Sequence, residues 1–129
     1  MGLNEKRKIK ELQDTILPGR VKEIQEICGK AINYDVDWDS FDTFESLNFL
    51  DNCSCHRLNM ALRVICQDDM GKEAIRETVK KVKPKNVKTE AEKSITLEGG
   101  TLEMHCAYAL GASGMIPDGE IRAFLMTKL

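Results

Sequence analysis

Aromatic residues are scarce in this 129-residue chain: one Trp, two Tyr and four Phe make up 5% of it. Its core must therefore rest on Leu, Ile, Val and Met, with few aromatic anchors. Long apolar runs are missing as well. No stretch of about 18 apolar residues occurs, which argues against a membrane-spanning helix, and the opening Met-Gly-Leu-Asn-Glu-Lys-Arg-Lys lacks the apolar run of a signal peptide. Lys6 stands where a myristoylation motif wants Ser or Thr. The five cysteines are an odd number, and Cys55, Cys66 and Cys106 fall on apolar periodic stripes. That is the pattern of reduced core thiols, not of a secreted disulfide framework. A cytoplasmic chain is the expectation. No repeat, low-complexity tract or Gly/Ser linker marks a boundary, so residues 1–129 are expected to form a single domain.

Charge of one sign is missing locally. The net charge is −2, which gives no global attraction for nucleic acid or anionic lipid. Between Ala31 and Cys55, however, there is no Lys or Arg, while Asp35, Asp37, Asp39, Asp42, Glu45 and Asp51 are acidic. From Lys72 to Lys93 the balance reverses, with Lys80, Lys81, Lys83, Lys85 and Lys88 in its middle. A dipolar molecule is expected.

What is present reads as an α+β fold. Ile9, Leu12 and Ile16 recur at helical spacing after Asn4, which is a candidate cap, and Pro18-Gly19 is expected to interrupt that helix. A second helix carries Val21, Ile24, Ile27 and Cys28 and stops at Gly29. From Ala31 the period turns to two, with Ile32, Tyr34, Val36 and Trp38 on one face and Asn33, Asp35, Asp37 and Asp39 on the other, which predicts a strand near 31–38. Asp42 and Glu45 suggest a capping box for a short helix. Cys55, Leu58, Leu62 and Ile65 line a further one, and Asp68 opens another that Pro84 is expected to end. Asn86-Val87-Lys88 is a weak strand candidate.

The clearest local signal is Gly99-Gly100 between Ser94–Glu98 and Thr101–Cys106, a two-residue turn that needs positive φ. It predicts a hairpin over 94–108 in which Glu98 faces Thr101, Leu97 faces Leu102, Thr96 faces Glu103 and Ile95 faces Met104. Pro117-Asp118 begins a last helix with Ile121, Phe124 and Leu125 inward. The sum is a small, mostly antiparallel sheet covered by about five to six helices.

Two sets of residues invite a functional reading. Asp35, Asp37, Asp39 and Asp42 form an acidic surface suited to a protein partner or to self-association. An EF-hand does not explain them, because Ser40, Asp42 and Ser46 occupy the places of its Gly, its apolar residue and its Glu. The second set is Cys53, Cys55 and His56 with His105 or Cys106. These are zinc or copper(I) ligand types, or the parts of a thiol-redox site. Against it, Cys-x-Cys is a short spacing for zinc, and the hairpin register sends His105 and Cys106 to opposite faces. The lysines from Lys80 to Lys88 lack interleaved aromatics, which argues against nucleic-acid binding, and they suit the C-terminal end of a helix. The leading expectation is a small cytoplasmic interaction or regulatory module without catalytic activity and without a cofactor; the alternative is a metal-binding or thiol-redox protein, with zinc as its metal.

Overall fold

The computed structural model describes residues 2–129. Leu3–Glu11 (α1) does not stop at Pro18. It continues through a π-helical turn, Leu12–Ile16, into Leu17–Cys28 (α2). Proline lacks an N–H, and its ring crowds the carbonyl four residues back. The widened turn, in which the Leu17 N–H donates to the carbonyl of Leu12 five residues earlier, makes room for that ring. Gly2, not Asn4, precedes the first helical residue. Gly29 closes α2 in the left-handed region, at φ 82°.

A second interrupted helix consists of Phe44–Leu50 (α3), a π-helical turn at Asp51–His56 and Arg57–Ile65 (α4). Thr43 caps it in place of Asp42: its Oγ1 accepts the Ser46 N–H at 3.1 Å. Asp68 caps Asp69–Thr78 (α5), accepting the Gly71 N–H at 2.8 Å. Asp118–Met126 (α6) is the last helix.

The sheet holds Asn33–Tyr34 (β1), Lys81–Asn86 (β2), Ser94–Glu98 (β3) and Thr101–Cys106 (β4), in the order β1-β2-β4-β3. The fold is α+β, but the sheet is mixed: β3 and β4 pair antiparallel, whereas β1–β2 and β2–β4 are parallel. The hairpin has the register read from the sequence, from Glu98↔Thr101 to Ile95↔Met104, and Gly99 and Gly100 have φ of 57° and 83°. It ends at Cys106, where the chain enters a 3-10 segment, Tyr108–Gly114.

The strand expected near 31–38 is regular only at Asn33–Tyr34, and Trp38 lies in a 3-10 turn, Trp38–Ser40. Its alternation survives: Ile32 and Val36 are buried, Tyr34 and Trp38 partly so, and Asn33, Asp35 and Asp39 are exposed.

The larger correction is β2. The helix expected to reach Pro84 ends at Thr78, and an internal strand runs through the proline. Asp35 N–H donates to the Val82 carbonyl and Asp37 N–H to that of Pro84, at 2.7 and 3.0 Å. In a parallel ladder a residue's carbonyl and nitrogen face the same neighbour. The Pro84 nitrogen therefore faces the β1 side just past Tyr34, the last residue of the β1–β2 pairing, so its missing donor falls at the end of that ladder. Lys81, Lys83 and Lys85 consequently lie on the outer face of the sheet, not at a helix end, while Val82 and Asn86 are buried.

Helices cover one face of the sheet. Leu102, Met104 and Cys106 are fully buried there and join Leu12, Ile24, Leu47, Leu58 and Ile121 in a continuous hydrophobic core. The opposite face carries the lysines of β2 and Thr101, Glu103 and His105 of β4, all partly or fully exposed.

The turn yields a graded prediction. A Cβ on Gly99 would meet nothing within 4 Å, whereas one on Gly100 would come within 2.6 Å of the Lys80 side chain. Gly99→Ala is expected to cost about 1–2 kcal/mol, the left-handed penalty alone, and Gly100→Ala more, as urea unfolding will register.

Candidate functional site

The two charged stretches that look separate in the sequence are neighbours in space, because β1 pairs with β2. Lys81 Nζ lies 3.5 Å from Asp35, and Lys88 Nζ lies 2.6 Å from Asp42. The hydrogen bond from Lys88 holds the Asp42 carboxyl below its usual range. The expected dipole is thus folded against itself. Among the described residues, neither Asp37 nor Asp39 enters a salt bridge. These two carboxylates, with Asp35, Trp38 and Lys83, line a shallow cleft of about 350 Å³.

Trp38 also walls a second, larger depression of about 430 Å³ on its other side. Leu17, Pro18 and Val21 of α2 line it from the helical side, Asn33 and Tyr34 from β1, and Gln13 of the π-helical turn contributes as well. The partly buried indole connects to the core through aromatic neighbours: Trp38 and Phe41 have ring centroids 6.5 Å apart, and Phe41 and Tyr108 5.0 Å. The groove follows the β1 margin, an outer strand of the sheet. Side chains of Leu, Pro, Val, Tyr and Trp make it mainly apolar, with Gln13 and Asn33 as its polar members.

A connected polar network fixes this groove from below. Arg20 reaches Asp51 through two parallel hydrogen bonds, Nε to Oδ1 at 2.7 Å and Nη2 to Oδ2 at 2.8 Å, and Nη1 donates to Glu23 at 3.0 Å. Such a fork-to-fork pair is both strong and directional. The hydrogen bond to Asp51 keeps the guanidinium firmly protonated. Asn59, which is completely buried, donates to Glu23 at 2.8 Å and to the Arg20 carbonyl at 3.3 Å, and accepts from the Tyr34 hydroxyl at 3.1 Å. Burial raises the Tyr34 phenol well above its ordinary pKa, so it remains a donor. Partial burial works against the Glu23 carboxylate, yet the hydrogen bonds from Asn59 and Arg20 outweigh it and its pKa is lowered. Helix α2, helix α4 and β1 are thereby tied at one point directly behind the groove.

The Cys/His set is divided. Cys53 and Cys55 lie in the π-helical turn Asp51–His56, and both are buried. Cys53 Sγ is 3.6 Å from the Gly111 carbonyl, and burial raises the pKa of both thiols. Ser54, between them, donates to Met104 Sδ at 3.7 Å, so this turn sits over the covered face of the sheet. Cys106 is on that face too, its thiol pushed up to about 11 by burial. His56 is half-buried at the end of the turn. His105 points to the other face, where its Nε2–H donates to Glu103 at 2.9 Å and lowers that carboxyl's pKa. No group of three or more His, Cys, Asp or Glu among the described residues is placed to hold a metal ion. No described helix is long and apolar enough to cross a membrane.

The sequence pattern singles out the aspartates and puts Trp38 only on the apolar face of a strand; it reveals neither the groove nor the network. Arg20 and Asp51 are 31 residues apart, and Asn59 is 36 from Glu23, distances over which no local pattern links them.

The network makes stability pH-dependent in a defined direction. A carboxyl whose folded pKa is depressed stabilises the fold above its unfolded value and loses that contribution as pH falls through the folded value. Glu23→Gln should therefore lower stability at pH 7, and the gap from the parent protein should close below the ordinary carboxyl value of 4.5. Chemical denaturation at a series of pH values measures this. A gap that stays constant down to pH 2.5 contradicts the assignment of Glu23.

Comparison of the chain with family models, with curated proteins and with solved structures finds no match, so any function must be argued from this geometry.

Proposed function

We propose that the chain is a small, cytoplasmic, non-catalytic interaction module that holds an extended segment of a partner protein in the groove between α2 and β1. The observation that carries the reading is the position of Trp38, which stands between an apolar groove and an acidic cleft. A segment seated there would put an aliphatic side chain against Leu17, Val21 and Tyr34 and a Lys or Arg beside Asp37 and Asp39. Solvent-accessible tryptophan and tyrosine over an apolar depression are common anchors of protein recognition. The neighbouring acidic pair, which enters no salt bridge among the described residues, supplies charge complementarity and orientation. The acidic surface read from the sequence narrows accordingly, since Asp35 and Asp42 already have lysine partners. The five free thiols fit a reducing compartment.

Trp38 is the only tryptophan, so its emission reports the site directly. Three capped hexapeptides serve as probes: alternating leucine and lysine, alternating leucine and glutamate, and alternating serine and lysine. The leucine–lysine peptide is expected to shift Trp38 emission saturably, with an affinity that weakens as salt rises and that falls at least about tenfold, or about 1.4 kcal/mol, in Val21→Glu. Equal binding of the leucine–glutamate peptide, or indifference to Val21→Glu, contradicts the proposal. A concentration-dependent shift without peptide, accompanied by a dimer in sedimentation, would assign the groove to a second copy of the chain instead.

A further inference from the structure

Of the five cysteines, two meet. Cys28 ends α2 and Cys66 follows the last turn of α4, and their sulfurs are 3.1 Å apart in the interior. The contact is built from several directions. Gly29, in the left-handed region, turns the chain away just after Cys28. Arg76 of α5 reaches across to donate to the Cys28 carbonyl at 2.9 Å, holding the end of α2 in place. The Cys66 N–H is bonded to the Leu62 carbonyl at 2.8 Å, which fixes the other sulfur's carrier. Among the described residues, no other pair of sulfurs is in contact of this kind: Cys53 faces the Gly111 carbonyl, and Cys55 and Cys106 have no sulfur partner.

The two sulfurs are not equivalent. Cys28 is completely buried, whereas Cys66 retains 5% of its surface and precedes exposed Gln67 and Asp68 in the turn before α5. Through their shared hydrogen bond the Cys66 thiol is shifted downward, the nearby Lys72 and Arg76 cations acting in the same sense, and Cys28 upward. Cys66 is thus the sulfur nearer solvent, and Cys28, as a resolving partner, is already beside it. Closing the pair to the disulfide length of about 2.05 Å needs an approach of roughly 1 Å.

We infer that Cys28 and Cys66 are an oxidative modification site, a resident dithiol that a small hydroperoxide closes into a disulfide joining α2 to α4. The Cys66 thiolate attacks one oxygen of hydrogen peroxide; an S–O bond forms, the O–O bond breaks, and the hydroxide released takes up a proton as water. Cys28 sulfur then attacks the sulfenic sulfur of Cys66. The S–S bond forms, the S–O bond breaks, and the departing hydroxide takes the Cys28 proton as a second water. Two thiols are oxidised, one peroxide is reduced, and no other reactant is needed. The product closes the chain between residues that are 38 apart, so it restricts the unfolded state as well as the native helix pair. The same two helices are joined further along by Arg20, Glu23 and Asn59. The inference does not depend on what the groove binds.

The test is peptide mapping of the native protein after treatment with stoichiometric hydrogen peroxide, with free thiols blocked before digestion. The expected result is one disulfide, Cys28–Cys66, a mass loss of about 2 Da, and three cysteines still alkylable on unfolding. Cys28→Ser should leave Cys66 as a sulfenic acid that dimedone traps, and Cys66→Ser should abolish the fast reaction. Cys53→Ser should leave its rate unchanged within twofold. Oxidation first at Cys53, Cys55 or Cys106, or a native protein in which Cys28 and Cys66 stay reduced while denatured protein reacts, overturns the inference. The mapping of the parent protein decides this even if a serine variant fails to fold.

Discussion

The carboxamide of Asn59 is the point on which the arrangement of α2, α4 and β1 depends. A buried amide without partners would cost about 1–3 kcal/mol, and this one is satisfied only if three separate segments come together. Glu23 and the Arg20 carbonyl accept from it, and Tyr34 donates to it. Because Arg20 is in turn held by Asp51, α2 is also tied to the π-helical turn of the second interrupted helix. The fully buried Leu12, Ile24, Leu58 and Leu62 supply most of the apolar burial in this region, but apolar contact is not directional. The polar network is directional, and it decides how far α2 stands from β1 and hence that a groove exists.

That spacing links local chemistry to the surface. Pro18 cannot be accommodated in a regular helix that begins at Leu3; the π-helical turn that admits it also sets the bank formed by Leu17, Pro18 and Val21. On the other side the alternation of β1 ends in a 3-10 turn, and Trp38 becomes a partition between an apolar and an acidic depression. Pro84 belongs to the neighbouring strand, and its missing donor lies just past Tyr34, at the end of the β1–β2 pairing.

Much of this fold is legible in the sequence wherever the determinant is local. Gly99-Gly100 specifies both turn and register, because positive φ at two successive residues leaves little else possible. The stripe Cys55, Leu58, Leu62 and Ile65 is buried as its spacing implies, as are Ile121 and Leu125 in α6. Hidden elements are those in which a strong local signal opposed the tertiary solution. Pro84 and the lysines around it read as the end of a helix, yet Val82, Pro84 and Asn86 alternate inward as the strand that joins β1 to the hairpin. Without β2 in view, the aspartates and lysines looked segregated, and the sheet looked mostly antiparallel. Of the site, the aspartates were legible as a surface feature, whereas Trp38 read only as part of the apolar face of a strand. The pairing of Asp35 with Lys81 and of Asp42 with Lys88, and the meeting of Cys28 with Cys66, join residues 38 to 46 positions apart, and only the folded chain reveals them.

The central claim is that the face around Trp38, and not the bare outer face of the sheet, is where this protein meets a partner. Amide and indole chemical shifts recorded as the leucine–lysine hexapeptide is added to isotope-labelled protein test it most directly. The account predicts that the largest changes fall on the Trp38 indole, Val21, Asn33 and Tyr34, with smaller ones at Asp37 and Asp39. Changes centred on Lys83, Lys85, Glu103 and His105, with the Trp38 indole unmoved, would contradict it.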